Sequence, residues 1–166
     1  MKKCCILLVI VIFASDGCVS KMINDDILKS TQKILYQFGD ASVPFKFHRS
    51  YSITITMDTL KIVVDSYGEI LHEKSFPFTL DDFNKIKLAI KKSKIGNVDH
   101  GEDDGCTGGT TESLTLYGRN EELFSGTVYH CGGNDYGDLS GDINLLADEI
   151  KNFVPGMNDM LQVGSF

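Results

Sequence analysis

The spacing of apolar residues along the chain predicts an alternation of helices and β-hairpins. Between residues 24 and 38, apolar side chains recur every three or four positions and Gly39 follows, which predicts a helix. Over residues 51–57, apolar and polar side chains alternate, which is typical of a strand with one buried face. The same patterns predict further strands at 60–64, 69–78, 112–117 and 122–131, and further helices that begin after Thr79 and Gly141. In the first of these later helices the apolar stripe comprises Phe83, Ile86, Ala89 and Ile90.

Strands followed by a helix occur twice, at 51–95 and at 112–154, and no strand–helix–strand crossover pattern is present. The predicted fold class is therefore α+β: an antiparallel sheet of two hairpin-containing units, with helices packed on one face and one disulfide as a brace. A single domain is predicted over 24–156. It is preceded by a tether at 18–23 and followed by a flexible C-terminal tail at 157–166.

The first seventeen residues have the composition of an export signal. Lys2 and Lys3 precede an uncharged, mostly apolar run from Cys4 to Ala14, which is too short to span a bilayer. We therefore expect residues 1–17 to be removed as a signal peptide. The mature protein is expected to work outside the cytoplasm, in the cell envelope.

The expected cleavage site precedes Cys18. The pair Gly17-Cys18 resembles the end of a bacterial lipoprotein signal, in which the cysteine is lipidated and becomes the first residue of the mature chain. Asp16 and Ser15 depart from that pattern, because the usual residues at these positions are small or aliphatic. The alternative is an ordinary signal peptidase that cuts after Gly17 or after Ser20.

The cysteine count favours lipidation and predicts a disulfide. The chain has five cysteines. The first two leave with the signal, and a lipid on Cys18 leaves the even pair Cys106 and Cys131. In an oxidising compartment this pair is expected to form a disulfide, which would stabilise the fold by roughly 3 kcal/mol through the loop that it closes.

Two other roles for the same residues are weaker. His100, Cys106, His130 and Cys131 have the composition of a zinc site, but His130 and Cys131 are neighbours on a predicted strand, so their side chains point to opposite faces. A cysteine nucleophile activated by His100 or His130 requires a free thiolate, which the compartment disfavours. No metal ligand and no catalytic residue is therefore assigned.

Acidic residues cluster in two glycine-rich loops, at 96–111 and 132–141. Five aspartates of these loops are predicted to contact a ligand or partner: Asp99, Asp103, Asp104, Asp135 and Asp138. Calcium is one candidate ligand, because it prefers several oxygens from a flexible loop. Neither loop has the EF-hand order, so solvated turns are the alternative, and no other cofactor is expected.

The charge balance narrows the classes of partner. The chain carries 16 basic and 23 acidic residues, a formal net charge of −7. Nucleic acid is not expected as a partner, because its recognition requires a basic face. A basic protein partner suits the acidic loops, and membrane attachment is expected through the N-terminal lipid.

These features favour an exported, lipid-anchored envelope protein that acts as a non-enzymatic binding or interaction domain. The alternatives are a small extracytoplasmic hydrolase, which would use His130 or His100 with a loop carboxylate, and a structural envelope component. The stretches 106–114 (CTGGTTESL) and 129–133 (YHCGG) resemble segments of exported bacterial proteins. That resemblance implies export and no particular activity.

Overall fold

The computed structural model describes residues 21–98 and 106–162. Residues 1–20, which contain the predicted signal and lipidation site, lie outside these ranges, as do residues 99–105 and 163–166. Within the described ranges no helix is long and apolar enough to cross a membrane.

The described elements follow one another along the chain as short helices between runs of strands. In order they are β1 (Lys21–Met22), α1 (Asp25–Ser30), β2 (Lys33–Gly39), β3 (Ser50–Thr56), β4 (Thr59–Ser66), β5 (Glu69–Pro77), α2 (Leu80–Lys92), β6 (Gly96–Asn97), β7 (Thr110–Tyr117), β8 (Glu122–Cys131), β9 (Asn134–Gly137), β10 (Leu139–Ser140), α3 (Ile143–Asn152) and α4 (Met157–Leu161).

Seven of the described strands form one antiparallel sheet in the order β5-β4-β3-β2-β7-β8-β9. β2 lies at its centre and pairs with β3 on one side and with β7 on the other. The helices pack on one face of this sheet, so the predicted α+β fold is confirmed. Strands β1, β6 and β10 form a separate three-stranded sheet.

The core lies between the large sheet and the helices. Alternate residues of each central strand point inward, and Ile53 and Leu60 are fully buried there. All four residues of the predicted apolar stripe of α2 are also buried, which confirms that stripe. The helix begins where expected, because the hydroxyl of Thr79 accepts a hydrogen bond from the backbone N–H of Asp82 at 3.1 Å.

The predicted helix over 24–38 is wrong beyond its first turns. α1 ends at Ser30, and the backbone of the following residue, Thr31, is extended and leads the chain into β2. In β2 the burial has a period of two, with Ile34 and Tyr36 fully buried and the residues between them more exposed. Because β2 pairs on both sides, its backbone groups are satisfied by two neighbouring strands and need no helical partners.

The two predicted loops also contain short strands. The first includes β6 and the start of β7, and the second includes β9 and β10. Gly132 and Gly133 form the two-residue turn between β8 and β9, with φ values of +62° and +84°. Two positive φ angles in succession are the requirement of a tight hairpin turn, which glycine meets without strain.

The ordered domain extends beyond the predicted limits of 24–156. Two features lie inside the predicted tether at 18–23: Ile23 is buried, and β1 forms a strand that pairs with β6. The first five residues of the predicted flexible tail form α4, in which Met157 and Met160 are buried in the core. Gly156, with φ of +69°, turns the chain back so that this helix packs against the domain.

Candidate functional site

Polar and charged side chains gather at one end of the large sheet, where β7 begins and β8 ends. A disulfide joins Cys106 to Cys131 there, with their Cα atoms 6.1 Å apart, and this confirms the predicted pair. We call this region, residues 106–112 and 129–135, the disulfide end of the sheet.

The loop that begins at Cys106 is fastened by more than the disulfide. The hydroxyl of Tyr129 donates to the carbonyl oxygen of Cys106 at 3.3 Å and accepts from the backbone N–H of Gly109 at 3.2 Å. Gly109 lies directly against the carbonyl oxygen of His130 and the Tyr129 ring, so no side chain fits at this position. The loop therefore has a fixed position beside His130.

The imidazole of His130 lies between two carboxylates. Its Nδ1 is 2.6 Å from Oδ1 of Asp135, and its Nε2 is 3.3 Å from Oε2 of Glu112. Strand pairing creates this arrangement, because Asp135 stands opposite His130 in the β8–β9 register. On the other side His130 stands opposite Thr110, and Glu112 follows two residues later on the same face of β7.

Glu112 is a buried carboxylate, only 6% exposed. Its second oxygen, Oε1, accepts a hydrogen bond from the hydroxyl of Tyr36 on β2. The Tyr36 ring is itself close to Tyr51 on β3, with ring centroids 6.2 Å apart. Burial, reinforced by the neighbouring tyrosine and Glu112, raises the pKa of Tyr36 far above its usual value, so this phenol remains a donor.

The pKa of His130 is raised from its ordinary value of 6.5. Partial burial alone would lower the pKa of His130, but the hydrogen bond and charge of Asp135, followed by those of Glu112, outweigh that effect. A carboxylate at each nitrogen favours the protonated ring, which can donate on both sides. An imidazolium has no free lone pair, so it cannot accept a proton from a nucleophile.

A surface pocket of about 380 Å³ opens beside this cluster, between the sheet and α3. Its lining residues are Phe38, Thr110, Glu112, His130, Asn144 and Lys151. The ammonium group of Lys151 lies 3.8 Å from the carboxylate of Asp148 on the same helix, which offsets its charge. The pocket therefore presents a hydroxyl, an amide and a balanced set of charges around one aromatic ring.

The structure describes two of the five predicted contact aspartates. Asp135 joins the His130 cluster, whereas both oxygens of Asp138 are used inside the fold. They accept from the backbone N–H of Thr127 at 2.8 Å and from the side-chain amide of Asn97 at 3.0 Å. The other three, Asp99, Asp103 and Asp104, lie outside the described residues, as does His100.

Two of the described carboxylates, Asp135 and Glu112, flank the same imidazole. Asp135 and Glu112 lie at opposite nitrogens of His130, so they do not converge on one point. In the part of the chain that the structure describes, no group of three or more histidine, cysteine, aspartate or glutamate residues is placed to hold a metal ion.

Sequence reasoning missed Glu112 and Tyr36 as members of the site. The signal for Glu112 was present, since it shares its strand face with Leu114 and Leu116, and a charged residue on an apolar face needs a partner. Tyr36 was hidden by the wrong helix, because only as part of β2 does it stand beside β7. It is directly opposite Leu114 in that pairing.

Comparison with known proteins gives no match: no family model fits the chain, and no curated protein and no solved structure matches it. The fold and the site together define an α+β domain, braced by a disulfide, with a charged pocket at one end of its sheet. The functional argument therefore rests on that pocket.

Proposed function

We propose that this protein is exported, anchored through a lipid on Cys18, and works in the cell envelope as a non-enzymatic binding domain. The export-like segment 1–17 and the cysteine parity support the anchor, and the Cys106–Cys131 disulfide suits an oxidising compartment. The disulfide end of the sheet, together with the neighbouring Asp148 on α3, is its contact surface.

The observation that carries the binding role is the fixed position of His130 between Asp135 and Glu112. A hydrolase that used His130 as a general base would need one ring nitrogen free to accept a proton. Here both nitrogens face carboxylates, at 2.6 Å and 3.3 Å. A ring held in this way favours a rigid recognition surface over proton transfer.

The chemistry of the surface favours a basic protein as partner. Asp135 is half-exposed and Asp148 is largely exposed, so both remain open to a lysine or arginine side chain. The formal net charge of −7 adds a long-range attraction for a basic protein. Thr110 and Asn144 supply neutral hydrogen-bonding groups at the pocket beside these carboxylates.

Mass spectrometry of the full chain after expression in a bacterial host tests the anchor. We expect a mature chain that begins at Cys18 and carries an acyl mass, and a gain of two hydrogens when the protein is reduced. A mature chain without an acyl group at Cys18 would overturn the anchor.

Binding to a basic protein, with lysozyme as the probe and an acidic protein of similar size as the comparison, tests the partner class. We expect Asp148→Asn to weaken binding by about two- to fivefold, the effect of one exposed charge. Asp26→Asn, the same change at a carboxylate on α1 that is 91% exposed, is the matched control and should have little effect.

Two results would contradict the proposal. Equal losses of binding in the two variants would contradict the assigned surface. Equal binding to the basic and the acidic probe would contradict the partner class. Hydrolysis of a panel of ester and amide substrates that disappears in a folded His130→Asn variant would replace binding with catalysis.

A further inference from the structure

Four large apolar side chains are exposed in or beside two neighbouring connections. Phe45 and Phe47 lie in the connection between β2 and β3, Tyr67 lies in the β4–β5 turn, and Ile70 is the second residue of β5; each is between 47% and 58% exposed. We call these four residues the aromatic tip.

The two connections hold each other in place. The hydroxyl of Ser66 donates to the carbonyl oxygen of Phe45 at 2.8 Å. The hydroxyl of Tyr67 donates to the carbonyl oxygen of Val43 at 2.5 Å. The ring of His48 stacks on Tyr67 with centroids 3.9 Å apart. The phenyl rings are therefore presented on a braced scaffold.

The charges around the tip differ from those of the rest of the chain. Residues 41–49 contain Lys46 and Arg49 and no acid, although the whole chain has a net charge of −7. Lys46 lies between the two phenylalanines in sequence, and its Nζ is 4.6 Å from the centroid of the Phe47 ring. Aromatic rings beside a cation on a long apolar stem match the bilayer interface, where apolar and phosphate groups meet.

Two of the three acidic residues nearest the tip along the chain accept hydrogen bonds from backbone N–H groups of the same two connections. The carboxylate of Asp40 accepts from the backbone N–H groups of Ala41 and Arg49, both at 2.8 Å. Asp65 accepts from the backbone N–H of Gly68 at 2.9 Å. The third, Glu69, is exposed, so the surface is not distinguished by attraction to anionic lipid. It is distinguished by its exposed aromatic rings.

We infer that the aromatic tip inserts into the headgroup region of the membrane to which Cys18 is anchored, and so fixes the orientation of the domain. This inference rests on the proposed lipid anchor. The occupant of the surface is the bilayer itself.

The anchor and the tip can meet the same bilayer only if the line from Lys21 to the tip lies close to the membrane plane, because the tether is shorter than their separation. Two residues separate Cys18 from Lys21, so the chain between them spans at most about 10 Å. Lys21 pairs with Asn97, whose side chain donates to the carbonyl oxygen of Ser125 on β8. From there the start of the β2–β3 connection lies two strands across and a few residues along, a separation of about 20 Å.

The absence of tryptophan from the sequence allows a direct test. In the full lipidated chain Phe47→Trp places a single indole at the tip, and Leu88→Trp places one on the exposed side of α2 as the matched control. Both proteins are reconstituted into phosphatidylcholine vesicles whose lipids carry bromine near the top of the acyl chain. We expect blue-shifted emission and quenching for Phe47→Trp, and neither effect for Leu88→Trp.

The outcomes separate failure of the anchor from failure of the tip. If mass spectrometry shows acylated Cys18 and the indole of Phe47→Trp is not quenched, the inference is overturned while the proposed anchor stands; quenching in both variants also overturns it. If Cys18 is not acylated, the anchor fails. The unlipidated Phe47→Trp protein is then mixed with the same vesicles. Quenching of its indole would support membrane insertion of the tip without the anchor, and no quenching would contradict insertion.

Discussion

Removal of the His130 imidazole should destabilise the fold through Glu112. In His130→Ala the Asp135 carboxylate can regain water, because it is half-exposed, but Glu112 is only 6% exposed and keeps the Tyr36 hydroxyl as its one described partner. A buried carboxylate left without its cation is strongly destabilising. Since the His130 side chain is itself 34% exposed, we expect a loss of about 2–3 kcal/mol in the free energy of unfolding, below the range for a fully buried pair.

A double-mutant cycle isolates this interaction. Glu112→Gln keeps an oxygen that can accept from Tyr36 but removes the charge that His130 compensates. In that background His130→Ala should lower the free energy of unfolding by about 1 kcal/mol, which gives a coupling of about 1–2 kcal/mol. Both changes are measured by urea denaturation monitored by circular dichroism.

The coupling should depend on pH with a definite sign. The folded-state pKa of His130 lies above its unfolded value of 6.5, so its contribution is fully present below 6.5 and is lost as pH rises through the folded pKa. The coupling should therefore be present at about pH 6, where carboxylates are still ionised, and smaller at about pH 9.

His72→Ala is the matched control, because His72 is exposed on β5. Its effect on the free energy of unfolding should stay within about 0.5 kcal/mol at both pH values. A His130–Glu112 coupling below about 0.5 kcal/mol at pH 6, or one that is unchanged at pH 9, would refute the assignment of an ion pair.

Three further predictions concern the brace, the loop and the C-terminal helix. Replacement of both Cys106 and Cys131 by alanine should lower the free energy of unfolding by about 3 kcal/mol in urea, and a loss below about 1 kcal/mol would show that the bond adds little. Gly109→Ala should lower it by about 1–3 kcal/mol, because a β-carbon there collides with the His130 carbonyl oxygen; an unchanged melting temperature contradicts this packing. Met160→Ala should lower it by about 2–3 kcal/mol, since Met160 is buried, whereas a flexible tail would give no measurable change.

The local spacing of apolar residues was sufficient to predict secondary structure where that spacing fits only a helix or only a strand. The apolar stripe of α2 has a helical spacing that no strand shares, and the alternation over β3 has a spacing that no helix shares. In β2 the two overlap: Ile34 and Phe38 are four residues apart, which fits one face of a helix and also one face of a strand. The pairing of β2 with β3 and β7 decides the outcome, and those partners are distant in sequence.

The site was only partly predictable for the same reason. His130 and Asp135 are five residues apart, and the Gly-Gly pair between them is a hairpin signal that would have placed them opposite each other. Tyr36 and Glu112, by contrast, are 76 residues apart. Their hydrogen bond exists only because β2 and β7 are neighbours in the sheet, which no local spacing reveals.

The polar cluster also constrains how the strands can pair. Tyr51, Tyr36, Glu112, His130 and Asp135 come from five consecutive strands of the sheet, β3, β2, β7, β8 and β9. A shift of one residue in any of these pairings would move a polar member to the other face of the sheet and leave the buried carboxylate without a partner. The cluster therefore favours the native register, while two of its members, Glu112 and His130, also line the pocket. Because the same residues serve both purposes, a loss of binding after substitution within the cluster identifies a contact only if the free energy of unfolding is unchanged.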